Sequence, residues 1–274
     1  MCDLDGCGDQ SHLPEIKIKP EDRRLFLKGL ASLPLASVLA FPELSQAAAA
    51  KLDNVSIKLA DGTEVSAVIA LPKAEKAPTV LLIHEWWGLN DQIKAVAAEL
   101  AEIGYVALAV DLYGGKVGTD APSAKALMSA VDKDKATETL VGWVDYLKNH
   151  KQSNGKVGTM GWCFGGGWSV NASIATPVDA TIVYYGYVTQ KADQLKSLKG
   201  PVLGHFGTQD QNINKEMVGG FEAEMEKAGK KDSLSVNWYD ANHAFANPTG
   251  ARYDAEDAAT AWKRTTEFLK ANLS

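Results

Sequence analysis

Apolar runs and helix-like repeats alternate along the chain from about residue 54 to its end. Continuous apolar runs are typical of strands that are buried on both faces of a parallel sheet. Such runs, or shorter strand-like ones, cover 79–83, 105–110, 156–161, 181–185, 202–206 and 234–239. Helical periodicity is found at 91–104, 121–149, 217–227 and 255–273, and a further helix is expected from residue 163. This alternation predicts an α/β fold with a mainly parallel central sheet and helices on both faces.

A hairpin precedes this alternating region. Strand-like residues at 55–59 and 65–71 flank Asp61-Gly62, a dipeptide that favours a tight turn between antiparallel strands. No internal repeat or low-complexity linker follows residue 50, and no boundary divides the remaining chain. The sequence therefore predicts one domain over residues 50–274.

The first 49 residues have the three parts of an export signal. Arg23-Arg24 stands before an apolar stretch at 29–41, and small residues accumulate at 45–50. The arginine pair indicates a twin-arginine signal, cleaved near 47–49, and therefore a periplasmic or secreted protein that meets the twin-arginine export machinery. The apolar stretch is too short for a stable membrane anchor. The alternative interpretation of this segment is an N-terminal amphipathic helix.

Composition and charge argue against several classes of binding partner. The chain has 274 residues, of which 46% are hydrophobic and 23% charged, as in an ordinary globular protein. The net charge of -6 argues against binding to nucleic acid or anionic membranes. No cluster of His, Asp and Glu has ligand spacing, so we expect no metal and no cofactor. Cys2 and Cys7 lie in the predicted signal, which leaves Cys163 as the single cysteine of the mature chain.

That cysteine stands in the motif Gly161-Trp162-Cys163-Phe164-Gly165, where a predicted strand passes into a predicted helix. A G-x-S-x-G motif at such a junction is the nucleophile elbow of α/β-hydrolases, and its glycines allow the sharp turn. A thiol replaces the hydroxyl here, and its pKa falls near a helix N-terminus or a histidine. The motif predicts that Cys163 is a nucleophile. The alternatives are a structural cysteine in a glycine-rich packing site and a phosphate-binding loop.

The partners of the nucleophile should follow it in the order acid, then base. Asp210 comes after the strand at 202–206, and His243 comes after the strand at 234–239. His243 would accept the thiol proton, and Asp210 would hold the imidazole in the correct tautomer. Asp240 is the alternative acid. His205 lies within a strand and His84 at a strand end, and a structural role is expected for both.

An oxyanion hole requires two backbone N–H groups. Phe164, directly after the nucleophile, is expected to supply one, and Trp86 in the loop after the first central strand is expected to supply the other. Four side chains are candidates for the substrate pocket: Trp87, Tyr113, Phe245 and Asn247.

Taken together, these residues resemble the dienelactone hydrolase family over about residues 54–273. The resemblance is carried by the elbow Gly161-Trp162-Cys163-Phe164-Gly165-Gly166, by Phe206-Gly207-Thr208-Gln209-Asp210, by Asn242-His243-Ala244-Phe245, by Asp111-Leu112-Tyr113-Gly114 and by Glu85. It implies an α/β-hydrolase of the carboxymethylenebutenolidase type that opens an unsaturated lactone with a cysteine nucleophile. It also implies that Glu85 modulates the thiol, which is neutral at rest and becomes a thiolate when substrate binds.

The chain differs from the family's dienelactone enzymes at one position that bears on the substrate. The family's dienelactone enzymes bind the substrate carboxylate with arginines, one of them four residues after the catalytic histidine, where this chain has Asn247. The resemblance therefore implies the reaction class, cleavage of a carboxylic ester or lactone, more firmly than dienelactone as the substrate. Two alternatives remain: a thioesterase or acyltransferase on the same triad, and a non-enzymatic exported protein with a redox-sensitive lone thiol.

Overall fold

A computed structural model describes residues 17–28 and 34–274 of the chain. Its centre is an eight-stranded sheet in the order β1-β2-β4-β3-β5-β6-β7-β8. The strands are β1 Asp53–Lys58, β2 Glu64–Ala70, β3 Ala77–Ile83, β4 Val106–Val110, β5 Ser153–Trp162, β6 Ala180–Tyr184, β7 Val202–Gly207 and β8 Leu234–Tyr239. β1 pairs antiparallel to β2 and β2 antiparallel to β4, and every other pair is parallel. The predicted α/β fold is confirmed.

Helices cover both faces of this sheet. They are α1 Pro20–Leu27, α2 Leu35–Ala40, α3 Pro42–Ala49, α4 Asp91–Glu102, α5 Ala121–Ser129, α6 Lys133–Asn149, α7 Phe164–Ala175, α8 Ala192–Leu195, α9 Lys215–Lys227 and α10 Ala255–Leu273. Successive strand residues point to opposite faces, so Val80 and Leu82 pack with α4 while Leu81 and Ile83 pack with α6. The carboxyl ends of the parallel strands therefore meet at one edge, where loops carry the candidate chemistry.

Two local details differ from the sequence prediction. The expected helix over 121–149 is two helices, α5 and α6, because the Asp132 side chain accepts a hydrogen bond from the Lys135 N–H and begins a new helix. Helix α4 is capped by Asn90 rather than by Asp91, since the Asn90 side chain accepts from the Ile93 N–H. The hairpin is confirmed, and Gly62 takes the positive φ that its turn requires, 84°.

Part of the predicted export signal packs against the domain. Helices α2 and α3 lie on α4, and Val38, Leu39 and Leu44 are buried in the core on that face of the sheet. Cys2 and Cys7 lie outside the described residues. Among the residues that are described, no helix has both the length and the apolar character needed to cross a bilayer. In the full-length chain, residues 34–49 therefore contribute apolar surface to the fold.

Candidate active site

Cys163 occupies a tight turn between β5 and α7. Its backbone has φ 52° and ψ -114°, a left-handed conformation that non-glycine residues rarely adopt. Glycine is required on both sides, because a Cβ at Gly161 would lie 2.0 Å from the Gly165 carbonyl oxygen, and a Cβ at Gly165 would lie 2.1 Å from that of Ile83. The structure thus holds the cysteine in a strained elbow at the carboxyl edge of the sheet, directly before the N-terminus of α7.

The Cys163 side chain lies near the rings of Tyr113 and Tyr185. Burial raises the pKa values of Tyr113 and Tyr185, and the Glu85 carboxylate raises that of Tyr185 further; a thiolate on Cys163 would add to both shifts, because its side chain lies near the two rings. Cys163 itself is buried, with 7% of its surface exposed. The N-terminus of α7, which starts at Phe164, favours negative charge beside it.

Asp210 and His243 form a buried hydrogen-bonded pair. The His243 Nδ1 atom lies 2.6 Å from Asp210 Oδ2, across the loops that follow β8 and β7. Asp210 Oδ1 accepts from the N–H groups of Asn212 and Ile213, both at 2.9 Å. Burial by itself would raise the pKa of Asp210, but these bonds and the imidazole lower it overall. The carboxylate is thereby kept charged against His243 Nδ1.

The alternative acid, Asp240, faces another way. Its carboxylate accepts from Thr208 Oγ1 at 3.1 Å and from Gln209 Nε2 at 3.2 Å. These bonds join the loop after β8 to the loop after β7. Asp240 therefore contributes to the spacing of the two loops on which Asp210 and His243 lie.

Tyr185 connects the separate parts of the site, and sequence reasoning missed it. It follows β6 directly and has a positive φ of 38°. Its hydroxyl donates to Glu85 Oε1 at 3.3 Å, and its ring meets the His243 ring edge-on at a centroid distance of 5.2 Å. A tyrosine immediately after a buried parallel strand was the available sequence signal, because such positions lie at the carboxyl edge of the sheet.

Glu85 is held in the site by neutral donors on two sides. The carboxylate is 7% exposed. Besides the Tyr185 hydroxyl, the Asn247 Nδ2 atom donates to Glu85 Oε2 at 3.0 Å. Asn247 thus lies against the carboxylate that the sequence placed beside the thiol, in the position where the resembled enzymes carry an arginine.

His84 anchors the loop that carries Glu85. The Leu112 N–H can only donate, and it lies 3.3 Å from His84 Nε2, so the ring proton is on Nδ1 and points to the Glu85 carbonyl oxygen at 2.6 Å. Burial lowers the pKa of His84 to about 4, which keeps the ring neutral. His84 therefore ties the loop after β3 to the loop after β4, the structural role that its position suggested.

The remaining predicted residues surround the same place. Trp86 and Trp87 pack with ring centroids 4.8 Å apart, and the Trp86 carbonyl oxygen accepts from the Tyr113 hydroxyl at 3.1 Å. Phe164 begins α7 and packs against the rings of Tyr113 and His84. Phe245 is fully buried and supports the Tyr185 ring at 5.5 Å, so it lies behind the site rather than at its surface.

Comparison with known proteins agrees with this architecture. The model of the dienelactone hydrolase family matches residues 65–273. A carboxymethylenebutenolidase of Pseudomonas putida is 30% identical over 233 residues, which cover 79% of this chain and 95% of that protein. Carboxymethylenebutenolidase 1 of Cupriavidus pinatubonensis is 26% identical over 79% of this chain and 96% of its own length.

Solved structures share the fold at lower identity. A dienelactone hydrolase-like promiscuous phosphotriesterase from metagenomic libraries superposes with a TM-score of 0.73 at 23% identity, covering 82% of this chain and all of that one. The sheet, the helices on both faces and the strand-to-helix elbow define an α/β-hydrolase. The chain belongs to the dienelactone hydrolase family, and its class of enzyme is carboxylic ester hydrolase.

Proposed function

We propose that the protein cleaves carboxylic ester or lactone bonds through a Cys163–His243–Asp210 triad. His243 Nε2 accepts the thiol proton, and the sulfur attacks the carbonyl carbon. The alcohol oxygen leaves with that proton, which yields a thioacyl-enzyme; in a lactone, the alcohol stays attached to the acyl group. Water, deprotonated by His243, then releases the acid and restores the thiol. The observation that carries this proposal is the buried 2.6 Å contact between His243 and Asp210 at the edge where the elbow presents Cys163.

Charge that develops on the carbonyl oxygen needs donors with fixed positions. We assign these to the backbone N–H groups of Phe164 and Trp86. The position of Phe164 at the start of α7 and the bond from the Tyr113 hydroxyl to the Trp86 carbonyl support this assignment, since both restrict the backbone near the elbow.

Glu85 is proposed to set when the thiol ionises. A carboxylate near a thiol disfavours the thiolate, so the resting sulfur stays protonated while Glu85 is charged beside it. The donors Tyr185 and Asn247 are neutral, so neither compensates the charge on Glu85 as an arginine would. The same absence of an arginine at 247 supports a substrate other than dienelactone, one without a carboxylate for that position to bind.

Trapping the acyl-enzyme tests this function. The full-length protein is mixed with a p-nitrophenyl ester or an aryl lactone, quenched within milliseconds to seconds, and examined as intact protein and as peptides by mass spectrometry. We expect one acyl group on the peptide that contains Cys163, and none in Cys163→Ala. Acylation elsewhere, or none with any ester or lactone, would contradict the triad and favour the lone thiol of a non-enzymatic protein.

A parallel panel separates the related reactions. If thioesters turn over much faster than oxygen esters with the same acyl group, the protein is a thioesterase. If added alcohols or amines capture the acyl group in place of water, it is an acyltransferase. Comparable rates on oxygen esters, with free acid as the product, are the result that the proposed function predicts.

We also propose that the twin-arginine machinery exports the precursor to the periplasm or beyond. The support is the order of Arg23-Arg24, apolar stretch and small residues in the sequence. In the full-length chain Arg23 pairs with Glu43 and its guanidinium lies 5.7 Å from the centre of the Phe41 ring. Replacing both arginines by lysine should keep the protein in the cytoplasmic fraction, with cytoplasmic and periplasmic marker enzymes as controls. Unchanged fractionation would contradict this route.

A further inference from the structure

An apolar cavity of about 360 Å³ lies between helices α2, α4 and α10, on one face of the sheet. Its volume falls within the range of small-molecule sites. The larger side chains in its wall include Leu35, Leu39, Val96, Trp162, Tyr184 and Trp262. The mechanism proposed above uses none of these side chains.

The cavity adjoins the candidate active site. Five residues of its wall also line a smaller cavity of about 30 Å³: Leu39, Val96, Trp162, Ala246 and Pro248. The rest of the wall of that smaller cavity consists of Glu85, Gln92, Ile93, Tyr185 and Asn247. Tyr185 in turn contacts the His243 ring and lies near Cys163. The two cavities therefore share an apolar wall, and the smaller one ends at the polar groups of Glu85, Gln92 and Asn247 beside the candidate active site.

The lining of the large cavity selects against charge. Among the residues that the structure describes, Lys263 is the single charged side chain of this wall; it is 75% exposed and lies 4.0 Å from Glu267, so its charge faces solvent. A carboxylate or phosphate placed among the tryptophans would lose its hydration without gaining a buried cation. A hydrocarbon chain would lose only unfavourable contact with water. Leu39, an aliphatic side chain from the N-terminal segment, lines both cavities.

We propose that this cavity binds the hydrocarbon chain of the ester on which Cys163 acts. The proposal rests on the function proposed above and adds the substrate class: uncharged esters with an extended apolar chain. The chain passes Glu85 at the side where Asn247 holds the carboxylate, then runs along Trp162 into the space below α10. Leu39 narrows this path, so the N-terminal segment limits the length of chain that enters for as long as the signal remains uncleaved.

Filling the cavity tests the proposal. Ala258, on α10, lines the cavity, and Ala258→Phe places a ring in it. The measurement is the ratio of kcat/KM for a p-nitrophenyl octanoate to that for the acetate, with the full-length chain verified by intact mass. Each buried methylene contributes about fourfold, so exclusion of two or more should lower the ratio by about tenfold or more. Ala271→Phe, the same exchange at an exposed position of the same helix, should leave the ratio unchanged.

A second variant should change the octanoate-to-acetate ratio of kcat/KM in the opposite direction. Leu39→Ala removes the side chain shared by the two cavities and should raise the same ratio several-fold. A second series, acetates of alcohols of increasing length, distinguishes the two ends of the ester. A response in the acyl series assigns the cavity to the acyl chain, and a response in the alcohol series assigns it to the alcohol; either supports the site.

The two proposals fail in different ways. If the wild-type protein acylates at Cys163 but neither Ala258→Phe nor Leu39→Ala changes the ratio in either series, the hydrocarbon site is overturned and the hydrolase remains. A response of only one of the two variants, in the expected direction, still supports binding along that wall. If no ester of any length is hydrolysed, the proposed function itself has failed.

Discussion

Cys163→Ala should lower kcat/KM for an activated short-chain ester by about 10⁴-fold or more, while the protein stays folded. Removal of the nucleophile from a triad abolishes the covalent route and leaves only what the oxyanion donors and binding contribute. The exchange deletes one sulfur atom at a 7% exposed position, so its effect on packing is small. Initial rates at several ester concentrations, with circular dichroism of both proteins, provide the measurement.

Cys163→Ser is the informative control for this experiment. Serine keeps the hydrogen-bonding geometry but has a much higher pKa, so the site, arranged for a thiol, should be impaired less completely than in the alanine variant. Asp240→Asn should retain most of the activity, because Asp240 contacts Thr208 and Gln209. If Cys163→Ala hydrolyses the ester at the wild-type rate, the sulfur is not the nucleophile and the triad proposal is wrong.

Gly165→Ala should destabilise the protein by roughly 3 kcal/mol and reduce ester hydrolysis with it. A methyl group there would come within 2.1 Å of the Ile83 carbonyl oxygen and 2.5 Å of the His84 carbonyl oxygen. Both atoms belong to the backbone and cannot rotate away, so either the elbow or the end of β3 must shift. Urea unfolding monitored by tryptophan fluorescence gives the free energy of unfolding for comparison with the wild type.

Gly219→Ala is the matched control for that exchange. Gly219 lies exposed in α9, and a Cβ there would meet nothing within 4 Å. Because alanine has the higher helix propensity, this variant should be stabilised by about 0.5–1 kcal/mol. Equal, small effects of the two exchanges would show that the elbow is not packed as described. Opposite changes in the free energy of unfolding for Gly165→Ala and Gly219→Ala would show that the steric clash at Gly165 causes the loss of stability.

The local features of the site could be predicted from the sequence because each depends on a short stretch of chain. The apolar runs locate the strands, and the glycines around Cys163 identify a turn that other residues could not adopt. Asp210 and His243 were identified since parallel strands place their following loops at one edge. The break between α5 and α6 was missed because the apolar period continues through it, and only the Asp132 cap interrupts the helix.

The N-terminal segment shows a different limit of sequence reasoning. Its order of charged, apolar and small residues predicts export, and that prediction concerns recognition by other proteins. The same apolar residues, among them Leu39 and Leu44, also fit the surface of α4 in the full-length chain. Burial of this kind depends on the shape of a partner surface, which no local pattern encodes.

The sequence by itself determined the fold class, the elbow with its cysteine, and the positions of Asp210 and His243 in the loops after β7 and β8, because strand periodicity and turn sterics act between near neighbours. Only the tertiary structure decided what surrounds the thiol. Tyr185 reaches Glu85 across 100 positions of the chain, and Asn247 reaches it across 162. Such contacts arise from how the sheet edge brings distant loops together, and their distances and burial follow from packing of the whole domain.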